Sequence, residues 1–307
     1  MTTQPTIGVL GIPFDANSSF RRGPARAPAA IREALGSEAG NEYSERGVRV
    51  WPSDSVIDHG DLKVAQRARV RAPIDAIEQG VARVAAVTPR LLMLGGDHAV
   101  SYPAVRAMAQ RWGRLSILHF DAHPDMYPEY DGNPYSHASP MARILEEGLV
   151  DRLVQVGIRS PSPPQEAIAK KYRVEVHAAF DLGRIARLKF SSPLYFSIDL
   201  DGLDPAYAPG VSHPEPGGLT VRQVLDVIGS VRAPAIVGGD IVELNPRLDP
   251  SGITAVVAAK IARELLARML VEPASPPARH AFSRRTVSAA ARRSRGRPRQ
   301  SDNSGSE

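Results

Sequence analysis

Short, nearly unbroken apolar runs recur along the chain at residues 7–12, 91–94, 115–120, 153–157, 194–200 and 235–237. Between them lie stretches with helical period at 24–35, 102–112, 139–147, 164–171, 220–231 and 252–270, several opened by Pro, Ser or Thr at the expected cap. A strand that is apolar on both faces has to be covered on both, and that arrangement belongs to a parallel sheet sandwiched between helices. The pattern therefore predicts a three-layer α/β/α fold with a mainly parallel central sheet. In such sheets ligands bind at the carboxyl ends of the strands.

A chain of 307 residues with 43% hydrophobic content can bury a sizeable core. The expected organisation is one domain over residues 1–271 and a tail over 272–307. In the tail the helical period stops and Pro, Ser, Ala and Arg dominate, a composition that cannot offset the ordering entropy, so disorder is expected there. The whole +5 net charge resides in that tail, which carries eight Arg against Glu272, Asp302 and Glu307. The pI of about 9.6 thus describes the tail and not the body. The polar stretch 36–63 holds at most one short strand, around 48–51, and is expected to wrap the surface. Cysteine is absent, which excludes disulfides, thiolate ligands and a cysteine nucleophile. No apolar run approaches the roughly 18 residues that span a bilayer, and the start has no leader pattern, so a soluble cytoplasmic protein is expected.

The chemistry concentrates where apolar runs end. Phe120-Asp121-Ala122-His123-Pro124-Asp125 follows one run, and in extended chain Asp121, His123 and Asp125 would point to one side. Asp199 and Asp201 share a face in Ser197-Ile198-Asp199-Leu200-Asp201-Gly202-Leu203-Asp204-Pro205, and His98 follows another run in Gly95-Gly96-Asp97-His98. A lone Asp-x-His-x-Asp is more often a solvated loop than a metal site. Three such segments, each after a strand, make a binuclear shell the better reading. Two His and four Asp would balance two divalent ions. Donors without thiolate suit Mn²⁺, with Ni²⁺, Co²⁺ and Fe²⁺ as alternatives. Two ions roughly 3.5 to 4 Å apart can bridge a water and lower its pKa toward neutrality, which is hydrolytic chemistry.

In that order, these three motifs resemble the metal motifs of the ureohydrolases, the family of arginases, agmatinases and formiminoglutamases. The resemblance runs from about residue 6 to about residue 270. Asn17-Ser18-Ser19-Phe20, Arg22-Gly23-Pro24-Ala25, Tyr135-Ser136-His137-Ala138-Ser139, Val156-Gly157-Ile158-Arg159-Ser160, Pro209-Gly210-Val211-Ser212-His213 and Asp240-Ile241-Val242-Glu243-Leu244-Asn245-Pro246 are similar to the branch of plant arginases and bacterial agmatinase-like enzymes. The resemblance implies an arginase-like sandwich with about eight strands. It implies one ion held by His98, Asp121, Asp125 and Asp199, a second held by Asp121, His123, Asp199 and Asp201, and assembly into trimers or hexamers. Glu243 matches the guanidinium-binding carboxylate, a role that suits a bidentate acceptor; otherwise it is a cap or surface Glu. His137 matches the proton-shuttling histidine, and an ordinary pKa of about 6.5 suits delivery to a departing amine; otherwise it is a solvated loop histidine.

Asp204 is expected to orient groups around the ligands or to serve the turn into Pro205. Asn133, Ser136 and His213 are expected at the substrate, with simple packing as the alternative for His213. His59 and His177 are ordinary histidines. The expected reaction is urea release from a small guanidino substrate, agmatine first, with arginine, another guanidino acid or guanidine as alternatives. Discrimination should lie in loops 126–139 and 17–22. Outside enzymology, Arg295-Gly296-Arg297-Pro298-Arg299 resembles the core of an AT-hook, which offers DNA association through the tail, and a silent scaffold is the remaining alternative.

Overall fold

The computed structural model describes residues 6–181 and 188–272. Its strands are β1 (Ile7–Gly11), β2 (Val56–Asp61), β3 (Arg90–Leu94), β4 (Leu115–Phe120), β5 (Val150–Ile158), β6 (Glu175–Ala178), β7 (Leu194–Asp199) and β8 (Ile236–Val242). They form one sheet in the order β2-β1-β3-β8-β7-β4-β5-β6, with every neighbouring pair parallel. The helices are α1 (Ala27–Leu35), α2 (Arg71–Val87), α3 (Ser101–Trp112), α4 (Pro140–Glu146), α5 (Pro163–Tyr172), α6 (Val221–Ser230) and α7 (Ile253–Val271).

Alternating strand residues divide between two cores. Leu92 and Leu94 of β3 face α1, α6 and α7, whereas Leu91 and Met93 face α2, α3 and α4, with α5 packed against the edge of that second core. Each fully buried side chain of this kind contributes about 1.5–3 kcal/mol. The expected three-layer parallel sandwich is thus what forms. Strands β3 and β4, consecutive in sequence, are separated in space by β8 and β7. This reversal brings the carboxyl ends of β3, β8, β7 and β4 side by side, which is where an open parallel sheet forms its ligand crevice.

Three elements depart from the sequence expectations. Strands β2 and β6 form the two edges of the sheet, and most of their residues are partly or fully exposed. Lacking cover on both faces, they lack the apolar signature. Helix α2 was not anticipated, although Ile74, Ile77, Val81 and Ala85 are its buried face. Its interior Gly80 breaks the helical signal because a Cβ there would come within 2.7 Å of Leu62. The stretch 48–51 is not a strand; Arg49 makes only an isolated bridge to Tyr43. Among the described residues no helix is long and apolar enough to cross a membrane. The expectations about residues 273–307, including 295–299, lie outside the described residues.

Candidate metal centre

Each of the four adjacent strands delivers its functional residue just at or beyond its carboxyl end. After β3 the chain turns at Gly95 and Gly96, and a Cβ on Gly96 would stand 1.7 Å from the Phe14 carbonyl oxygen, so only glycine fits. Asp97 then caps a single 3-10 turn, accepting from the Ala99 N–H at 3.2 Å, and His98 opens that turn. Strand β4 stops at Phe120, so the extended alternation expected through Asp125 does not occur. The loop curls instead, with Asp125 in the left-handed region at φ 51°, and this curl returns its carboxylate to His98. Asp199 ends β7 and accepts from the Asp201 N–H at 2.8 Å, starting the turn Leu200–Gly202. A Cβ on Gly202 would lie 2.8 Å from the Asp121 nitrogen, which shows how tightly the two loops interlock.

The side chains form two groups that share Asp121. In the first, His98 Nδ1 lies 2.8 Å from Asp125 Oδ2, 3.2 Å from Asp199 Oδ2 and 3.3 Å from Asp121 Oδ2. In the second, His123 Nδ1 lies 3.3 Å from Asp201 Oδ2 and 3.4 Å from Asp121 Oδ1. Within each group the candidate ligand atoms fall within 4.8 Å of one another. These groups reproduce the sets implied by the resemblance except that Asp199 joins only the first.

Two observations test whether the residues fit cations. His98 Nδ1 is buried without a hydrogen-bond partner. Four carboxylates crowd one buried space: burial, then repulsion from Asp201 and Asp121, holds the Asp199 carboxyl well above its ordinary range. Burial and then Asp121 push Asp201 up to about 6. Burial works the other way on His98, but Asp121, Asp125 and Asp199 outweigh it and hold its imidazole well above the usual value. Divalent cations would relieve both the repulsion and the vacant nitrogen, so the residues fit such a centre, with oxygen and imidazole donors.

Glu243 stands beside this cluster, just past β8, with φ 65°. Its Oε1 accepts from the His98 backbone N–H at 2.8 Å and lies 3.2 Å from His137 Nδ1, while its Oε2 is buried and unpartnered. Burial favours the neutral acid, but the hydrogen bond and charge of His137 outweigh it and hold the carboxyl below its ordinary range. Reciprocally, burial lowers the His137 pKa, and Glu243, with Asp125 and Asp97 behind it, raises it to about 9. The second His137 nitrogen, Nε2, contacts Ser19 Oγ at 2.8 Å.

His123, Asp125, His137, Asp199, Asp201 and His213 line one cavity of about 190 Å³, with Ser19, Tyr127, Tyr130, Ser160 and Gln165 at its sides. His213 lies 4.9 Å from the His137 ring and 5.7 Å from Phe20, so it reaches the cavity as expected. A larger cavity of about 440 Å³, bordered by α6 and α7, contains none of these residues, and its Arg222 and Arg268 are paired with Glu45 and Glu272.

Other expected site residues are placed elsewhere. Asp204 accepts from the backbone N–H groups of Ala206, Gly217 and Gly218, so it organises the 204–218 loop and touches none of the cluster. Asn133 donates to Asn17 Oδ1 and accepts from Tyr135 N–H, and Ser136 Oγ accepts from Ala138 N–H; both shape the loop around His137 and neither lines the cavity. His59 contacts Thr88 and His177 pairs with Glu175, away from the cluster. Sequence reasoning missed Asp97, whose carboxyl burial, then Glu243, pushes up to about 8. It also missed a set of buried polar residues inside the strands: His119, Gln155, Tyr195, Ser197 and Asp240. The available signal was their polarity within otherwise apolar runs.

The "Arginase family" model matches residues 5–267. The chain is 44% identical over 278 residues to "Arginase, mitochondrial" of Medicago truncatula, covering 86% of this chain and 82% of that protein. The solved structure of an arginase from Medicago truncatula superposes with a TM-score of 0.82, covering 86% of this chain and 87% of that one. Proclavaminate amidinohydrolase of Streptomyces clavuligerus is 34% identical over 84% of this chain and 86% of its own length. The agmatine ureohydrolase structure of Thermoplasma volcanium is 33% identical, with a TM-score of 0.73 over 87% of this chain and 90% of that one. The plant relative's name places it in mitochondria, so it lends no support to the expected cytoplasmic location. With a matching fold and a match along most of its length, the chain belongs to the arginase family, hydrolases of guanidino carbon–nitrogen bonds.

Proposed function

We propose that this protein is an arginase, hydrolysing L-arginine to L-ornithine and urea with two Mn²⁺ ions. The observation that carries the guanidino reading is Glu243, whose buried Oε2 is free and faces no partner, beside the carboxylate and imidazole cluster. A planar, permanently charged guanidinium is the cation such a carboxylate suits. The sequence alone led us to expect agmatine. Arginine is now preferred because identity to the Medicago arginase is 44%, against 33% to the agmatine ureohydrolase. Agmatine is kept as the second reading because the cavity lining includes no Lys or Arg to meet a carboxylate. An α-carboxylate would instead meet neutral donors such as Ser19, Ser160 and Tyr127.

His98, Asp121, Asp125 and Asp199 would hold one ion, and Asp121, His123 and Asp201 the other. When bound, the pair supplies an acidified water near neutral pH and Lewis-acid stabilisation of developing charge. Glu243 binds the guanidinium and orients its carbon toward the cluster. His137, with its pKa raised to about 9, carries both ring protons at neutral pH. Its Nδ1–H stays on Glu243, and its Nε2–H, resting on Ser19 Oγ, is the proton given to the departing amine. Water adds to the guanidinium carbon, the bond to the substrate's chain nitrogen breaks, and ornithine leaves with that proton.

The test is urea release from arginine, agmatine, guanidinobutyrate and guanidine by protein loaded with Mn²⁺ and, separately, Ni²⁺. The highest kcat/KM on arginine with Mn²⁺ is expected. A preference for agmatine moves the assignment to the second reading, and no urea from any substrate, with metal bound, refutes the hydrolase. Assembly into trimers or hexamers belongs to the same proposal and is read by light scattering.

A further inference from the structure

We propose that a polar row crossing the buried sheet acts as the floor of the metal centre, and that His119 within it is a positioning residue that donates a proton to Asp121 and ligates no ion. The inference rests on the metal centre proposed above. Strand register supplies the row: Gln155 pairs with His119 across β5 and β4, His119 with Ser197 across β4 and β7, and Ser197 with Asp240 across β7 and β8. All four are fully buried, with mainly apolar neighbours along their strands. Unpaired polar groups at such positions are destabilising, so the hydrogen bonds they make define what they do.

By donor type alone, His119 could be a third imidazole ligand. Its Nε2 lies 2.8 Å from Asp121 Oδ2, its ring centroid is 5.0 Å from that of His98, and the three residues form a group of candidate ligand atoms. Gln155 decides the matter. One atom of its amide lies 2.7 Å from the Pro124 carbonyl oxygen and 2.9 Å from His119 Nδ1. A carbonyl oxygen only accepts, so that amide atom is the nitrogen, and its two protons go one to Pro124 and one to Nδ1. His119 Nδ1 is therefore an acceptor. The remaining ring proton of the neutral imidazole sits on Nε2, aimed at Asp121 Oδ2, and Nε2 has no lone pair left for a cation.

The other half of the row performs the complementary task on His98. Asp240 accepts from Tyr195 Oη at 2.6 Å and from Ser197 Oγ at 2.8 Å. With its own proton committed to Asp240, Ser197 Oγ accepts from His98 Nε2 at 3.0 Å. The His98 proton thus sits on Nε2, which leaves the Nδ1 lone pair, placed among the three carboxylates, for a bound cation. One end of the row keeps an imidazole out of coordination and steadies the shared carboxylate, while the other end readies an imidazole for coordination.

The experiment measures Mn²⁺ stoichiometry and affinity by metal analysis and calorimetry on the full chain, together with imidazole ¹⁵N shifts of the Zn²⁺-loaded protein. Wild type should bind two ions, with the His119 ring protonated at Nε2 and showing no metal-induced shift. H119F should still bind two ions at saturating Mn²⁺ but with affinity reduced about 10–100-fold. H119Q, which keeps an N–H donor near the Nε2 position, should recover most of that loss, and Q155L should weaken affinity without touching any ligand. One ion fewer in saturated H119F, or a metal-shifted His119 Nε2, makes His119 a ligand and overturns the inference. Unchanged affinity in folded H119F and Q155L overturns it as well. Wild type that binds no ion at all brings down the metal centre itself.

Discussion

Glu243 holds a backbone conformation that residues with a side chain rarely adopt, φ 65°, and such strain persists only where the surroundings impose it, at about 1–3 kcal/mol. Here the Glu243 N–H donates to the Gly96 carbonyl at 2.9 Å and Oε1 is bound by the His98 N–H and His137, so the turn fixes the carboxylate while its Oε2 stays unpartnered. E243Q keeps the shape and removes the charge. It should lower kcat/KM on arginine by about 10²–10³-fold, in line with the roughly 2–5 kcal/mol lost when one partner of a buried charge pair is removed. Steady-state kinetics reads the loss, and a change below tenfold would remove Glu243 from the guanidinium. At His137, whose ordinary value is 6.5, burial lowers the pKa but the hydrogen bond and charge of Glu243 outweigh it and raise it to about 9. A raised pKa stabilises the folded state fully below about pH 6.5, and that contribution is lost as pH rises through about 9. Metal-free protein should therefore lose thermal stability over that window in calorimetry, and H137N should flatten the slope while lowering kcat about 10²–10⁴-fold. Asp204, Asn133 and Ser136 show the limit of motif proximity. They neighbour the functional residues in sequence, yet their side chains serve loop turns.

Strands β3, β4, β7 and β8 were legible because an element covered on both faces reads as an apolar run, and edge strands β2 and β6 were not because their side chains are largely exposed. The same apolar signature concealed His119, Gln155, Ser197 and Asp240, buried polar residues inside largely apolar stretches. The turn after β3 leaves no room for a side chain. G96A would force a Cβ against the Phe14 carbonyl, where backbone cannot yield as a side chain tip can. We expect a loss of at least about 3 kcal/mol in urea denaturation and displacement of His98, with Mn²⁺ affinity falling in parallel. Full stability in G96A would show that the turn can rearrange.

At the scale of the fold, the cluster forms because β8 and β7 return between β3 and β4, so candidate ligands separated by over a hundred positions, His98 and Asp199, meet at 3.2 Å. Four buried carboxylates in one place favour any state that brings cations to them. Mn²⁺ at about a hundredfold excess over its Kd should raise unfolding stability by about 2.7 kcal/mol per site, and a chelator should reverse it. Identical melting with and without metal would mean the cluster holds no ion. The family, the layered fold and all six candidate ligands were open to sequence reading because periodicity and motif spacing are local properties, set by how one strand and its following loop are built. The pairing of Gln155 with His119, the free Oε2 of Glu243, the separation of Asp199 from the second group and the choice of the turn between the two readings of Asp204 were decided only by tertiary structure. These depend on which strands lie side by side and how their loops interlock, and that is set by long-range packing with no local trace in the chain.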